Sequence, residues 1–129
     1  MSRVKNMQVQ INEAYVKNYF LKGTYNLSPL LNFAIEKNDG KYTLLMKVEI
    51  NNTADKPFPI DLKVIISGTF DFLEPNEEEI NEFMKKEAIQ MLYPYLRSYV
   101  SNLTANSMMS PIMLPIIDVR NIKIEEDAL

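Results

Sequence analysis

The sequence has no histidine, no cysteine and no tryptophan, and only three glycines. Losing histidine removes the commonest general base and the commonest metal ligand together, so any catalysis would rest on Asp, Glu, Lys, Ser or Tyr. No carboxylate pair has a companion that spacing nominates for acid-base work. Without cysteine there is neither a disulfide framework nor thiolate chemistry, which suits a reducing compartment. Gly23, Gly40 and Gly68 are too few and too scattered for a phosphate cradle or a nucleophile elbow. The expectation is a chain that is not an enzyme and uses no cofactor or metal.

Two further scarcities narrow the field. Fourteen Lys and Arg against seventeen Asp and Glu give a net charge of -3, with no basic stripe of the kind that neutralises nucleic-acid phosphates. Long apolar runs are also missing. The longest, residues 111–117, falls well short of the roughly 20 residues needed to cross a bilayer, so no membrane insertion is expected. The first twelve residues contain no apolar core of a secretory signal, and a cytoplasmic location is expected.

What is present is a 47% hydrophobic chain of 129 residues, read as a single domain over 1–129 that is large enough for a true core. Val9 and Ile11 alternate with polar neighbours, and the pattern continues through Tyr15, Lys17 and Tyr19, giving a strand over about 8–20. A turn-rich crossover follows. Leu31, Phe33 and Ile35 mark a second strand over about 29–37. Asn38-Asp39-Gly40 supplies the positive φ angles of a tight hairpin. Tyr42, Leu44, Met46, Val48 and Ile50 then mark a third strand over about 41–51, and Phe58, Ile60, Leu62, Val64 and Ile66 a fourth over about 57–73. Four such strands on short connections make an antiparallel sheet with one face to cover.

The cover begins after Pro75. Asn76 is a candidate N-cap with Glu79 three residues on, and apolar residues then recur every three or four positions to about Asn106, predicting a helix over about 77–106. Pro94 removes the bond to the Gln90 carbonyl and is expected to kink the helix or divide it. Thirty helical residues would span roughly 45 Å, against a radius of gyration near 14 Å for a compact chain of this size. Such a helix would overhang one subunit, which favours oligomerisation. Beyond it, two prolines bracket an apolar loop over 107–117, and Asp118 opens a short, weakly amphipathic helix over about 118–127. The fold class is therefore α+β, a four-stranded antiparallel sheet packed against a long helix, with a short C-terminal helix.

Two segments carry a resemblance. Leu92-Tyr93-Pro94-Tyr95-Leu96-Arg97 is similar to the aromatic-Pro-Tyr-x-Arg segment in the long helix of the SecB family of export chaperones, and Pro111-Ile112-Met113-Leu114-Pro115 to its Pro-x-x-Leu-x-Pro loop. Tyr15-Val16-Lys17 and Gly68-Thr69-Phe70 are weaker echoes. The resemblance implies dimers or dimers of dimers with the long helices between sheets. It also implies an ATP-independent holdase that binds unfolded or precursor polypeptides in apolar grooves for a translocase. A chaperone dedicated to one client, such as an antitoxin, is the alternative. Two departures stand out. Only fourteen residues follow Pro115, which leaves little room for the family's second helix, and the Cys-rich zinc-binding tail that engages the SecA motor has no counterpart.

Within that frame, Phe20, Tyr25, Leu27 and Leu30 around the crossover, and Met108, Met109, Ile112, Met113, Leu114 and Ile116 around the proline loop, are the candidate peptide-binding residues. Flexible thioethers suit a surface that adapts to many apolar partners, and equally suit a gap in a core. Val9, Ile11, Tyr95, Leu96, Tyr99, Val100 and Leu103 are the candidate oligomer contacts. The acidic run from Asp71 to Glu87 reads either as a solvated helix start or as a steering surface for basic partners.

Overall fold

The computed structural model describes residues 4–74 and 76–116. It contains four strands, β1 (Val4–Asn18), β2 (Leu30–Asn38), β3 (Lys41–Ile50) and β4 (Ile60–Phe72), followed by helices α1 (Glu77–Lys85) and α2 (Glu87–Asn106). The strands form one antiparallel sheet in the order β1-β4-β3-β2. Because β1 and β2 lie on opposite edges, residues 19–29 must cross the ends of β3 and β4 to join them. The helix expected over 118–127 lies outside the described residues.

Alternation on β3 and β4 is what builds the core. Leu44, Met46, Val48 and Ile50 face the same side as Leu62, Val64, Ile66 and Phe70, and all are buried. The opposite face is mixed, with Thr43 and Thr69 sharing a hydrogen bond of 3.0 Å and Lys63 paired with Glu13 at 2.9 Å. The β2–β3 turn is the tight hairpin expected, with φ of +52° at Asp39 and +76° at Gly40. A mirror-image turn of this kind matches the strand twist.

β1 differs from its sequence pattern. It starts at Val4, not near residue 8, and register shifts between Val4 and Asn6 and between Ile11 and Glu13 interrupt it. Each shift adds a residue to the strand and moves the following side chains to the other face. Val9 and Ile11 therefore face the helices, whereas Tyr15, read as continuing their face, lies opposite Lys63 on the open face.

The helical layer also departs from expectation, since it breaks at Lys86 and not at Pro94. Asn76 caps α1 by accepting the Glu79 amide at 3.2 Å, and three acidic residues in the first turn suit the positive helix end. Phe83 packs edge-on against Phe70 and Phe72 at centroid distances of 5.5 and 5.4 Å, holding α1 over the end of β4. At Lys86 the backbone leaves helical geometry, with φ of -129° and ψ of -72°. α2 then runs for twenty residues with Pro94 inside it, about 30 Å in place of the 45 Å that one continuous helix would reach. Pro94 and Gln90 are exposed, so water can take the carbonyl that the proline leaves unbonded. α2 seats directly on the sheet at Gly68, where an added Cβ would sit 3.3 Å from both a Leu92 methyl and the Phe70 ring.

Candidate polypeptide-binding surface

Three rows of side chains run along α2, each with its own task. Ala88, Leu92, Leu96, Val100 and Thr104 recur every four residues and are buried. Tyr93, Arg97, Ser101 and Thr104 form a second row that holds the segment after the helix. The Thr104 hydroxyl accepts the Ile112 amide at 2.9 Å, and Ser101 Oγ lies 3.6 Å from Met113 Sδ. Arg97 Nε donates to the Leu114 carbonyl at 2.9 Å, and the Tyr93 hydroxyl to the Pro115 carbonyl at 2.6 Å. Residues 112–115 thus run antiparallel to the helix, each held to it by one of these contacts. Burial at this seat pushes the Tyr93 phenol up, partly offset by the Arg97 guanidinium.

Pinning sorts the expected contact residues. Leu114, expected to touch client, is only 1% exposed and belongs to the core, while Ile112 and Met109 are half-buried against the same core. Met113 and Ile116 point out, Ile116 at 85% exposure. Extended backbone explains the split from 112 to 114, because neighbouring side chains of such a segment point to opposite sides; Ile116 lies one residue past the last bond to α2, at Pro115.

Met108 is held outward by a different device. Its amide donates to Ala105 and that of Met109 to Thr104, at 3.1 and 3.3 Å, which is the Schellman closure of a helix end. Met108 sits at the left-handed position of that closure, φ +62°, where glycine is the usual occupant. It is 94% exposed.

The crossover repeats this arrangement. Phe20 also has a positive φ, +57°, its amide bonded to the Asn18 side chain at 2.8 Å, and it is 83% exposed. Tyr25 turns inward, its ring edge-on to Phe58 at 6.5 Å and its hydroxyl donating to the Lys22 carbonyl at 2.8 Å. Leu27 packs on the core and Leu30 stays exposed. Behind them a cleft of about 80 Å³ runs between the crossover and the β3–β4 turn, lined by Leu30, Ile50, Lys56 and Phe58 among others. The crossover is anchored where the Tyr19 hydroxyl donates to Asp61, whose other oxygen accepts the Asn52 amide at 2.7 Å. These two bonds, the tyrosine's first, hold the Asp61 carboxyl below its usual range, and the same carboxylate raises Tyr19.

Among the expected oligomer contacts, Leu96 and Val100 are fully buried in the chain's own core. They lie in the sheet-facing row, and contact with another subunit would require unpacking it. Tyr95, Tyr99 and Leu103 lie in the third row, which begins at Met91, a residue not among the expected contacts. Met91 and Tyr95 are exposed, and Tyr99 and Leu103 half-buried. The four-residue spacing 91-95-99-103 was the available signal. On β1, Ile11 is exposed and Val9 half-buried. Among the described residues no cluster of acidic, Cys or His side chains is arranged to hold a metal, and no helix is long and apolar enough to cross a membrane.

The sheet order, the helix lying across it and the pinned segment together describe an α+β chain with apolar groups displayed from fixed loops. Residues 3–126 match the family model described as SecB, preprotein translocase subunit SecB. The chain belongs to the SecB family. It is 27% identical over 118 residues to an uncharacterised protein, MJ0357, of Methanocaldococcus jannaschii, a match covering 90% of this chain and 75% of that one. Among solved structures it is similar to the SecB-like chaperone Rv1957 of Mycobacterium tuberculosis, determined with a ChAD peptide from the antitoxin HigA1. That match has a TM-score of 0.67 at 20% identity and covers 91% of each chain, which places the two in one fold.

Proposed function

We propose that this protein is an ATP-independent chaperone of the holding type, binding non-native polypeptide through apolar side chains displayed by the crossover and by the segment after α2. The observation that carries the reading is the match to the SecB family over residues 3–126. The geometry supports it: Phe20, Leu30, Met108, Met113 and Ile116 are large, apolar and exposed on segments tied down by hydrogen bonds. Affinity then comes from apolar area, at roughly 25 cal/mol per Å² before ordering costs, and needs no particular client sequence. We assign the outward row of α2, with Val9 and Ile11, to contacts between copies of the chain, a dimer or dimer of dimers. Service to an export translocase in the cytoplasm and the absence of catalysis belong to the same reading.

Aggregation of a chemically unfolded model substrate tests it. At substoichiometric to equimolar amounts the protein should slow light scattering equally with and without ATP; no suppression at several-fold excess overturns the reading. A second reading is favoured by one observation, that the similar Rv1957 structure holds an antitoxin-derived peptide. A chaperone dedicated to one client would protect that client alone and leave general model substrates to aggregate.

A further inference from the structure

We propose that Met108 and Met113 are a reversible modification site: oxidation of their thioethers to sulfoxides by peroxide weakens the hold of the segment after α2 on unfolded polypeptide, and reduction restores it. The proposal rests on the polypeptide-holding reading and adds a control to it.

All of the chain's sulfur is in methionine, since it has eight Met and no Cys, so no thiol intercepts an oxidant first. The fold then sorts the thioethers. Met46 and Met84 are fully buried, and Met7 and Met109 are half-buried against the core. Met108 and Met113 are 94% and 63% exposed, and susceptibility to oxidation follows exposure. Met91 is the other exposed methionine among the described residues, and it lies in the outward row of α2, away from the segment that holds Met108 and Met113. Neither of these two is exposed by looseness of the chain. Met108 is fixed outward at φ +62° by the closure of the helix end, and Met113 lies between Ile112 and Leu114, both bonded to α2.

The position of the sulfur matters as much as its exposure. Of the large apolar groups displayed for client, Phe20 and Leu30 in and beside the crossover contain no sulfur, while Met108 and Met113 account for two of the three after α2, Ile116 being the third. A thioether can be buried against an apolar client without needing a partner. A sulfoxide is a strong acceptor, and burying it without a donor carries a desolvation cost. The oxidised side chain therefore stays in water and its contact area is lost. At Met113 the fold offers a donor on the wrong side for client: Ser101 Oγ lies 3.6 Å from Sδ, and a sulfoxide oxygen would draw that hydroxyl and keep the side chain against α2. Both side chains lie outside the core, so the fold itself is left intact.

The step needs only a peroxide. A lone pair on Sδ attacks one peroxide oxygen, an S–O bond forms as the O–O bond breaks, and the departing oxygen takes the proton and leaves as water. Sulfur loses two electrons and the peroxide gains them. In the return step two thiols become a disulfide and the sulfoxide oxygen leaves as water, with a separate reductase for each sulfoxide epimer.

The probe is hydrogen peroxide, applied to the full chain until mass spectrometry of its peptides shows one added oxygen at Met108 and one at Met113, and then removed. About tenfold more oxidised protein should be needed to suppress aggregation of an unfolded substrate, with the urea midpoint unchanged. Both sulfoxide reductases with a dithiol should return the original capacity. A variant carrying Met108→Leu and Met113→Leu, compared only with itself before and after the same exposure, should keep whatever capacity it starts with. Equal holding by the untreated and oxidised parent overturns the proposal. So does a variant that loses capacity in step with the parent, or a urea midpoint that falls together with holding, since either places the damage at other methionines. An untreated chain that holds no substrate removes the holding reading and this one together, whereas a chain that holds equally well in both states removes this one alone.

Discussion

Arg97 donates from Nε to the carbonyl oxygen of Leu114, seventeen residues later in the chain, at 2.9 Å. With Tyr93 and Thr104 on the same row of α2, this bond converts an apolar loop into part of the core and decides which of its side chains remain available. Leu114→Ala removes a fully buried side chain and should destabilise the fold by about 2–5 kcal/mol. Met113→Ala, one residue away and facing out, should change stability by no more than about 0.5 kcal/mol. Urea unfolding of the two variants checks the contrast, and equal losses would mean that the segment is not seated as described.

At Met108 a different trade is visible. A side chain at a left-handed position costs about 1 kcal/mol relative to glycine, while glycine returns part of that through the entropy of the unfolded chain. Met108→Gly should therefore raise stability by about 0.5 kcal/mol. The same variant should capture unfolded substrate less well if Met108 is a contact. Thermal unfolding and aggregation suppression, measured on one preparation, would show stability and holding moving in opposite directions.

Pro94 lies inside an unbroken α2, and Pro94→Ala should restore a bond to the Gln90 carbonyl. A buried interior proline costs about 3 kcal/mol. Here the carbonyl lies on the wet side of the helix and alanine loosens the unfolded chain, so a gain of about 1 kcal/mol is expected. Helicity by circular dichroism should rise only slightly, because the break is elsewhere. A large rise would mean that Pro94, and not Lys86, divides the helix.

How far the sequence could be read follows from these details. Period-two patterning on β3 and β4, the Asp39-Gly40 turn and the Asn76 cap are local signals, and each appears where the residues suggest. The break at Lys86 has no such signal. Lys85, Lys86 and Glu87 all favour helix, and Ile80, Met84 and Ala88 continue one four-residue row across it; docking of Phe83 on the β4 aromatics sets the new direction. Along α2 the sequence offers apolar pairs, Met91-Leu92, Tyr95-Leu96 and Tyr99-Val100, whose spacing is identical. Only the fold decides that the second of each pair faces the sheet, so the pattern alone puts Leu96 and Val100 among the contact candidates. Likewise the prolines announce an extended segment, but its seat depends on donors at 93 and 97 and an acceptor at 104 that become one row only once α2 is in place.

Asp61 fixes the crossover to the start of β4 and gives it a pH dependence of known sign. Its folded-state pKa is lowered, by the Tyr19 hydroxyl first and the Asn52 amide second, with Lys17 adding a smaller attraction. A carboxylate lowered on folding contributes stability that is present above its unfolded value, about 3.9, and is lost as pH falls through the lower folded value. Asp61→Asn keeps the shape and removes the charge. The variant should be less stable than the parent at pH 7 and at pH 5. The gap should then narrow steadily below about pH 4, where the parent takes up the proton that the variant cannot. Urea midpoints across that range test the sign directly. A gap that stays constant to pH 2 would mean that Asp61 is ionised no more readily in the folded chain than in the unfolded one, and that Tyr19 is held by packing instead of by the carboxylate.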